Sequence, residues 1–225
     1  MIRRSAILGL LFIALPLLYA GEVLDGIAVT VNGRAILQSD WQDEVRYECF
    51  VAGRPLASVT PQDRKDALDR LIDQELLREQ MSAADLKSVS PEEVEKQFVV
   101  MKNDYARDHG ANSWDAALAA YRLTEADIKN HIALELTQLR LVDSHLRPSI
   151  QVDAAAIDAY YRERMAPPAA DGHQISLKEA TPKIRELLTQ EKMNQLLASW
   201  LESLHSQAQI KMFVPDSSVA QGPGQ

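Results

Sequence analysis

Cysteine occurs once in the 225 residues, at position 49, so no internal disulfide can form and the fold has to be held by packing. Cys49 lies in EVRYECFVAG beside Phe50 and reads as a core residue rather than a redox centre. Positive charge is also short. The 24 Lys and Arg face 32 Asp and Glu, a formal charge of −8, which excludes the dense basic surface that a phosphate backbone rewards. Aromatic residues make up only 6%, and Gly and Pro, 9 and 10 in number, are too few for a low-complexity chain.

Catalytic signatures are missing as well. There is no HExxH, no paired-cysteine cluster, no GxSxG, no GxGxxG, no phosphate-cradling glycine loop and no calcium-loop spacing. The histidines, His109, His131, His145, His173 and His205, stand apart from one another. His131 and Glu135 share a helix face four residues apart, but zinc usually needs three protein ligands, and a solvated polar face explains the pair. Asp40, Asp43 and Glu44 are likewise read as ordinary helix-surface carboxylates. The sequence therefore predicts no catalytic residue, no metal and no cofactor.

The strongest hydrophobic run is Ala6 to Leu18, too short to span a bilayer comfortably. Arg3 and Arg4 precede it and Ala20 closes it, so residues 1–20 are expected to be a secretory signal peptide. Leu18 fits the small-x-small cleavage pattern poorly; a retained leader would anchor the chain at the inner membrane. No cysteine follows the leader directly, which argues against lipidation. Cleavage removes Arg3 and Arg4 and moves the formal charge from −8 to −10.

What is present is a hairpin, a run of helices and one late strand. In GIAVTVNGRAIL the alternation of Ile27, Val29 and Val31 predicts an inward face, and Asn32-Gly33 can supply the two positive-φ positions of a tight turn. Two strands alone are marginal, so a third is expected at residues 207–214, where Ala208, Ile210 and Met212 alternate before Pro215. Helix starts are expected at Ser39, Thr60-Pro61, Ser90-Pro91, Ser113, Thr124 and Asp153, each followed by apolar residues at helical spacing. The last helix is expected to open near Pro182 and to carry Ile184, Leu188, Met193, Leu197 and Trp200.

The domain expectation follows. Residues 21–165 form a hairpin and helical region, 166–180 a Pro/Gly-containing connector, 181–214 a helix and strand that complete the same core, and 215–225 a flexible tail.

The stretches LDGIAVTVNGRAILQSD and LIDQELLREQM resemble the start of the SurA-type periplasmic chaperone family, and TPKIRELLTQEKMNQLLASWLESLHSQAQIKM is similar to its ending. With YYRERM the resemblance covers most of residues 24–214. It implies a mainly α fold: a helical chaperone core with a small antiparallel sheet made by the N-terminal hairpin and a C-terminal strand. Members carry one or two parvulin-type prolyl isomerase domains before the last helix. Here only 166–180 occupy that place, against the hundred or so residues such a domain needs, so isomerase activity is not carried over.

The resemblance implies an ATP-independent chaperone in the periplasm that holds extended exported polypeptides, outer-membrane protein precursors foremost. The alternative is a non-catalytic envelope assembly or scaffold protein with one dedicated partner; a homodimer or a contact with envelope assembly machinery is compatible with either. The expected peptide-binding residues are Phe98, Met101, Tyr105, Trp114, Tyr121, Tyr160 and Tyr161, taken as exposed groove positions because Met adapts to unlike side chains and aromatic faces suit variable clients. Asn32 and Gly33 are expected to be structural.

Overall fold

The computed structural model describes residues 25–83, 88–110, 113–165 and 175–213. The leader, the tail from Pro215, His173 and most of the expected connector lie outside the described residues. The fold is predominantly helical, with a small antiparallel sheet built from both ends of the chain.

Strands β1 (Ile27–Val31) and β2 (Arg34–Leu37) are joined by Asn32 and Gly33, at φ 50° and 86°. Both residues take the left-handed conformation that a two-residue hairpin with native twist requires. A third strand, β3 (Ile210–Met212), pairs antiparallel with β1, giving the order β2-β1-β3. The Asn32 side chain pins this closure. Its amide donates to Glu79 at 2.7 Å, and its Oδ1 accepts from the Gln209 backbone N–H at 2.8 Å.

Two details differ from expectation. A bulge between Ile27 and Val29 sends Ala28 into the core and turns Ile27 out to solvent, so the simple alternation fails at its first residue. The third strand is three residues long rather than eight, because the preceding helix runs to Gln207.

Seven α-helices and two short 3-10 turns fill the described residues between the strands. Helix α1 (Gln38–Val51) leaves β2 directly, with Asp40 accepting from the Leu37 N–H at 2.9 Å. Helices α2 (Pro61–Ala83), α3 (Pro91–His109) and α5 (Glu125–Leu146) open on reciprocal boxes of one design: Thr60 with Asp63, Ser90 with Glu93, and Thr124 with Asp127. Each cap satisfies otherwise orphaned N–H groups and contributes about 1 kcal/mol. Helix α4 (Ser113–Tyr121) is short, and Asp153 caps α6 (Ala154–Arg164).

The last helix, α7 (Leu177–Gln207), begins earlier than its proline suggested. Ser176 and Glu179 form the capping box, so residues 177–180 belong to the helix and not to a connector, and Pro182 lies inside it. A helix-start proline and a Ser-x-x-Glu box competed in this stretch. The box wins because it satisfies two donors, whereas proline only tolerates the position.

Apolar packing runs through four adjoining clusters. The sheet packs on α1 and α2 through Val29, Val31, Trp41, Leu68 and Leu76. The end of α1 packs on α3, α4 and α5 through Phe50, Phe98, Trp114, Ile128 and Ile132. Val142 and Leu146 of α5 meet Met193 of α7, where His145 stacks on Trp200 at 4.2 Å. Ile157 of α6 meets Ala180 and Ile184 at the other end of α7. The His205 ring, 2.5 Å from Asp73, ties the end of α7 to α2.

Gly33 tests the closure. A Cβ there meets nothing within 4 Å, so substitution acts only through the positive φ. Gly33→Val is expected to lower unfolding free energy by about 1–2 kcal/mol in denaturant titration, and Gly33→Asn by less than half of that.

Candidate functional site

An aromatic floor organises the junction of α1, α3, α4 and α5. Phe50, at the end of α1, stacks on Tyr105 with centroids 5.5 Å apart and meets Trp114 edge-on at 5.5 Å. Trp114 also stands edge-on to Phe98 and Tyr105, each at 5.6 Å. Such offset and edge geometries add to the area these rings bury. The polar edge is satisfied too. Trp114 Nε1 donates to Glu125 at 3.2 Å, and Glu125 receives Lys102 at 2.7 Å, whose ammonium holds the carboxyl below its ordinary range. Lys129 lies 4.4 Å from the Phe98 ring centroid, a cation–π contact at the surface.

Over this floor runs a cleft of about 320 Å³ between α1 and α3. Its walls are Phe50, Val51 and Gly53 on one side and Gln97, Val100, Met101 and Tyr105 on the other, with Asp104 and Asp108 at the rim. Val51 is 57% exposed and Val100 45%, large values for valines. Gly53, at φ 61°, turns the chain away at the end of α1 and leaves the cleft open there. Rigid rings below and solvent-facing aliphatic side chains above make a surface that can take up apolar groups without rearranging.

The expected site residues divide four ways. Met101 and Tyr105 line the cleft. Phe98 and Trp114, expected to be exposed, are buried at 3% and 2%, because each sits where three helices converge; they support the walls from below. Tyr121 is half-buried, packs between the sheet cluster and the aromatic floor, and donates its hydroxyl to the Arg54 carbonyl at 3.1 Å. Burial raises its hydroxyl pKa.

Tyr160 and Tyr161 are far along the chain in another cluster. Although adjacent, both pack against the cluster of Ile157, Ala180 and Ile184, and Tyr161 donates to the Ile175 carbonyl at 2.6 Å, fastening α6 to the start of α7. The seven residues therefore do not wall one groove.

Val51, Val99 and Val100 were missed. The signal was available: Val99 and Val100 fall off the Val94, Phe98, Met101, Tyr105 stripe, so a helix burying that stripe must expose them. A second depression, about 660 Å³, lies between α5 and α7, with Leu136, Leu139, Met193 and Leu197 along it. Leu139 is 56% exposed.

His131 also departs from its expected solvated setting. Its ring stacks on Tyr47 at 3.7 Å, partly buried, and burial lowers its pKa. Among the described residues, no group of three or more His, Cys, Asp or Glu is placed to hold a metal ion, and no helix is long and apolar enough to cross a membrane.

Comparison with known proteins adds one match. The model of a family described as "SurA-like N-terminal domain" matches residues 4–142, more than half of the chain. No curated protein matches it.

Floor and wall should separate experimentally. Trp114→Ala is expected to cost about 3–5 kcal/mol of unfolding free energy, and Val100→Ala less than about 0.5 kcal/mol, both read by denaturant titration.

Proposed function

Since the chain belongs to the SurA-like N-terminal domain family, we propose that it is an ATP-independent chaperone of the periplasm that holds extended, unfolded exported polypeptides, outer-membrane protein precursors among them. The observation that carries this reading is the solvent-facing apolar cleft over the aromatic floor, in a domain of this family. Precursors of membrane barrels alternate apolar and polar side chains. An extended segment can lay its apolar side on Val51, Val100 and Met101 while its polar side stays hydrated.

The chemistry of the walls suits breadth over selectivity. Valine and methionine offer dispersion contacts that depend little on the partner's shape, and methionine can change rotamer to match it. Several weak contacts along one client, the α5/α7 depression included, would add by effective concentration. No bond is made or broken in this role. The leader read at residues 1–20 and the negative net charge fit a soluble envelope protein that keeps its loaded form from aggregating.

The test is light scattering as the purified chain is added, without ATP, to two unrelated barrel precursors diluted from urea. Dose-dependent suppression of both near equal stoichiometry is expected; suppression of neither by well-folded protein overturns the reading and favours one dedicated assembly partner. The Val51→Ser, Val100→Ser double variant is expected to weaken precursor binding about five- to tenfold, as loss of aliphatic contact area implies, with little change in melting temperature.

A further inference from the structure

Helix α1 carries a buried carboxylate where it meets α2 and α5. Glu44 is 4% exposed and borders a cavity of about 320 Å³ shared by the three helices. His131 of α5 lies beside it, with Nδ1 3.8 Å from Oε2. From α1 itself Asp40, Asp43, Glu48 and the Tyr47 hydroxyl face the same region. From α2 come Arg70, Glu75, Arg78 and the Gln74 amide; Glu135 follows on α5.

The cations of this junction are engaged elsewhere. Arg70 is bonded to Glu48, Arg78 and Arg34 to Glu75, and Arg46 to Asp43. Glu44 is left with the Gln74 amide and an imidazole whose pKa burial lowers. Burial first, and the neighbouring Glu48 second, raise its pKa to about 7, against smaller opposing effects of Arg70 and Gln74. A carboxyl so placed is protonated in mild acid and ionised in mild base.

We propose that Glu44 is a pH-responsive joint, which seats α1 firmly on α2 and α5 when protonated and loosens it when ionised, and which thereby tunes the cleft that α1 helps to wall. The regulatory part rests on the cleft reading given above. The link is short: Phe50 and Val51, one wall of the cleft, lie less than two helical turns beyond Glu44 on the same helix. An ionised Glu44 needs water, which the adjoining cavity can admit at the expense of the helix contact.

The sign follows from linkage. The folded state raises the Glu44 pKa from 4.5 to about 7, so the stability it contributes is complete below 4.5 and is lost as pH rises through about 7. His131 acts in the opposite direction. Its folded pKa is lowered from 6.5, so its contribution is present above 6.5 and is lost as pH falls through the lower folded value.

The direct test is a carboxyl-carbon NMR titration of Glu44 in the full chain. A midpoint near 7 is expected; one near 4.5 overturns the proposal. The Glu44 contribution to the folding constant should fall on the order of 50-fold from about pH 5 to about pH 8, and Glu44→Gln should remove that fall. An unchanged slope in Glu44→Gln overturns the joint.

Hydrogen exchange at the end of α1, corrected for its intrinsic pH dependence, should quicken at the higher pH in the wild-type chain. Precursor binding should weaken over the same range in the wild-type chain and stay level in Glu44→Gln, because a loosened wall is no longer preorganised. Equal wild-type binding at both pH values overturns the regulatory part. No binding at either pH overturns the cleft reading, while the titration and exchange still judge the joint.

Discussion

Pairing of β1 with a strand from the far end of the chain is the constraint on which the rest depends. A two-residue hairpin with four- and five-residue strands is barely stable by itself. It becomes the centre of a sheet only when β3 arrives, and the Asn32–Gln209 bond spans 177 positions. Closing so long a loop costs entropy that no three-residue strand can offset. The helices between must therefore fold back and carry that cost, α2 and α7 above all, since His205 and Asp73 meet beside the closure.

The four clusters show how they do it. Each joins two to four elements through its buried residues, and each shares a helix with the next: α1 between the first two, α5 between the second and third, α7 between the third and fourth. Packing thus passes along long helices rather than into one central core. Such an arrangement leaves depressions between clusters. The α5/α7 depression is of this kind, whereas the α1/α3 cleft stands over a single cluster, where five aromatic rings interlock.

Aromatic residues were a poor guide to that surface, for a physical reason. A large ring is worth most to the fold when desolvated, so Phe98 and Trp114 were drawn to the convergence of helices. Valines left over from the stripe had no such place and face water. Tyr160 and Tyr161 serve another purpose, closing the small α6–α7 contact that the Ser176 cap begins. An exposed apolar surface is legible less in what a sequence enriches than in what its helices cannot bury.

Local chemistry was readable without coordinates wherever one short-range interaction decides the outcome. Asn32-Gly33 specifies its turn because only such residues accept two positive φ angles, and Thr60, Ser90, Thr124 and Asp153 specify helix starts because each can bond an exposed N–H three residues on. The pairing of the chain's ends was also readable, from the alternation that both ends display. Tertiary structure alone decided what depends on several elements at once. The bulge that turns Ile27 outward, the burial of Phe98 and Trp114, the stacking of His131 on Tyr47 and the burial of Glu44 beside His131 all arise from neighbours on other elements, and periodicity records a residue's face but not what arrives to cover it.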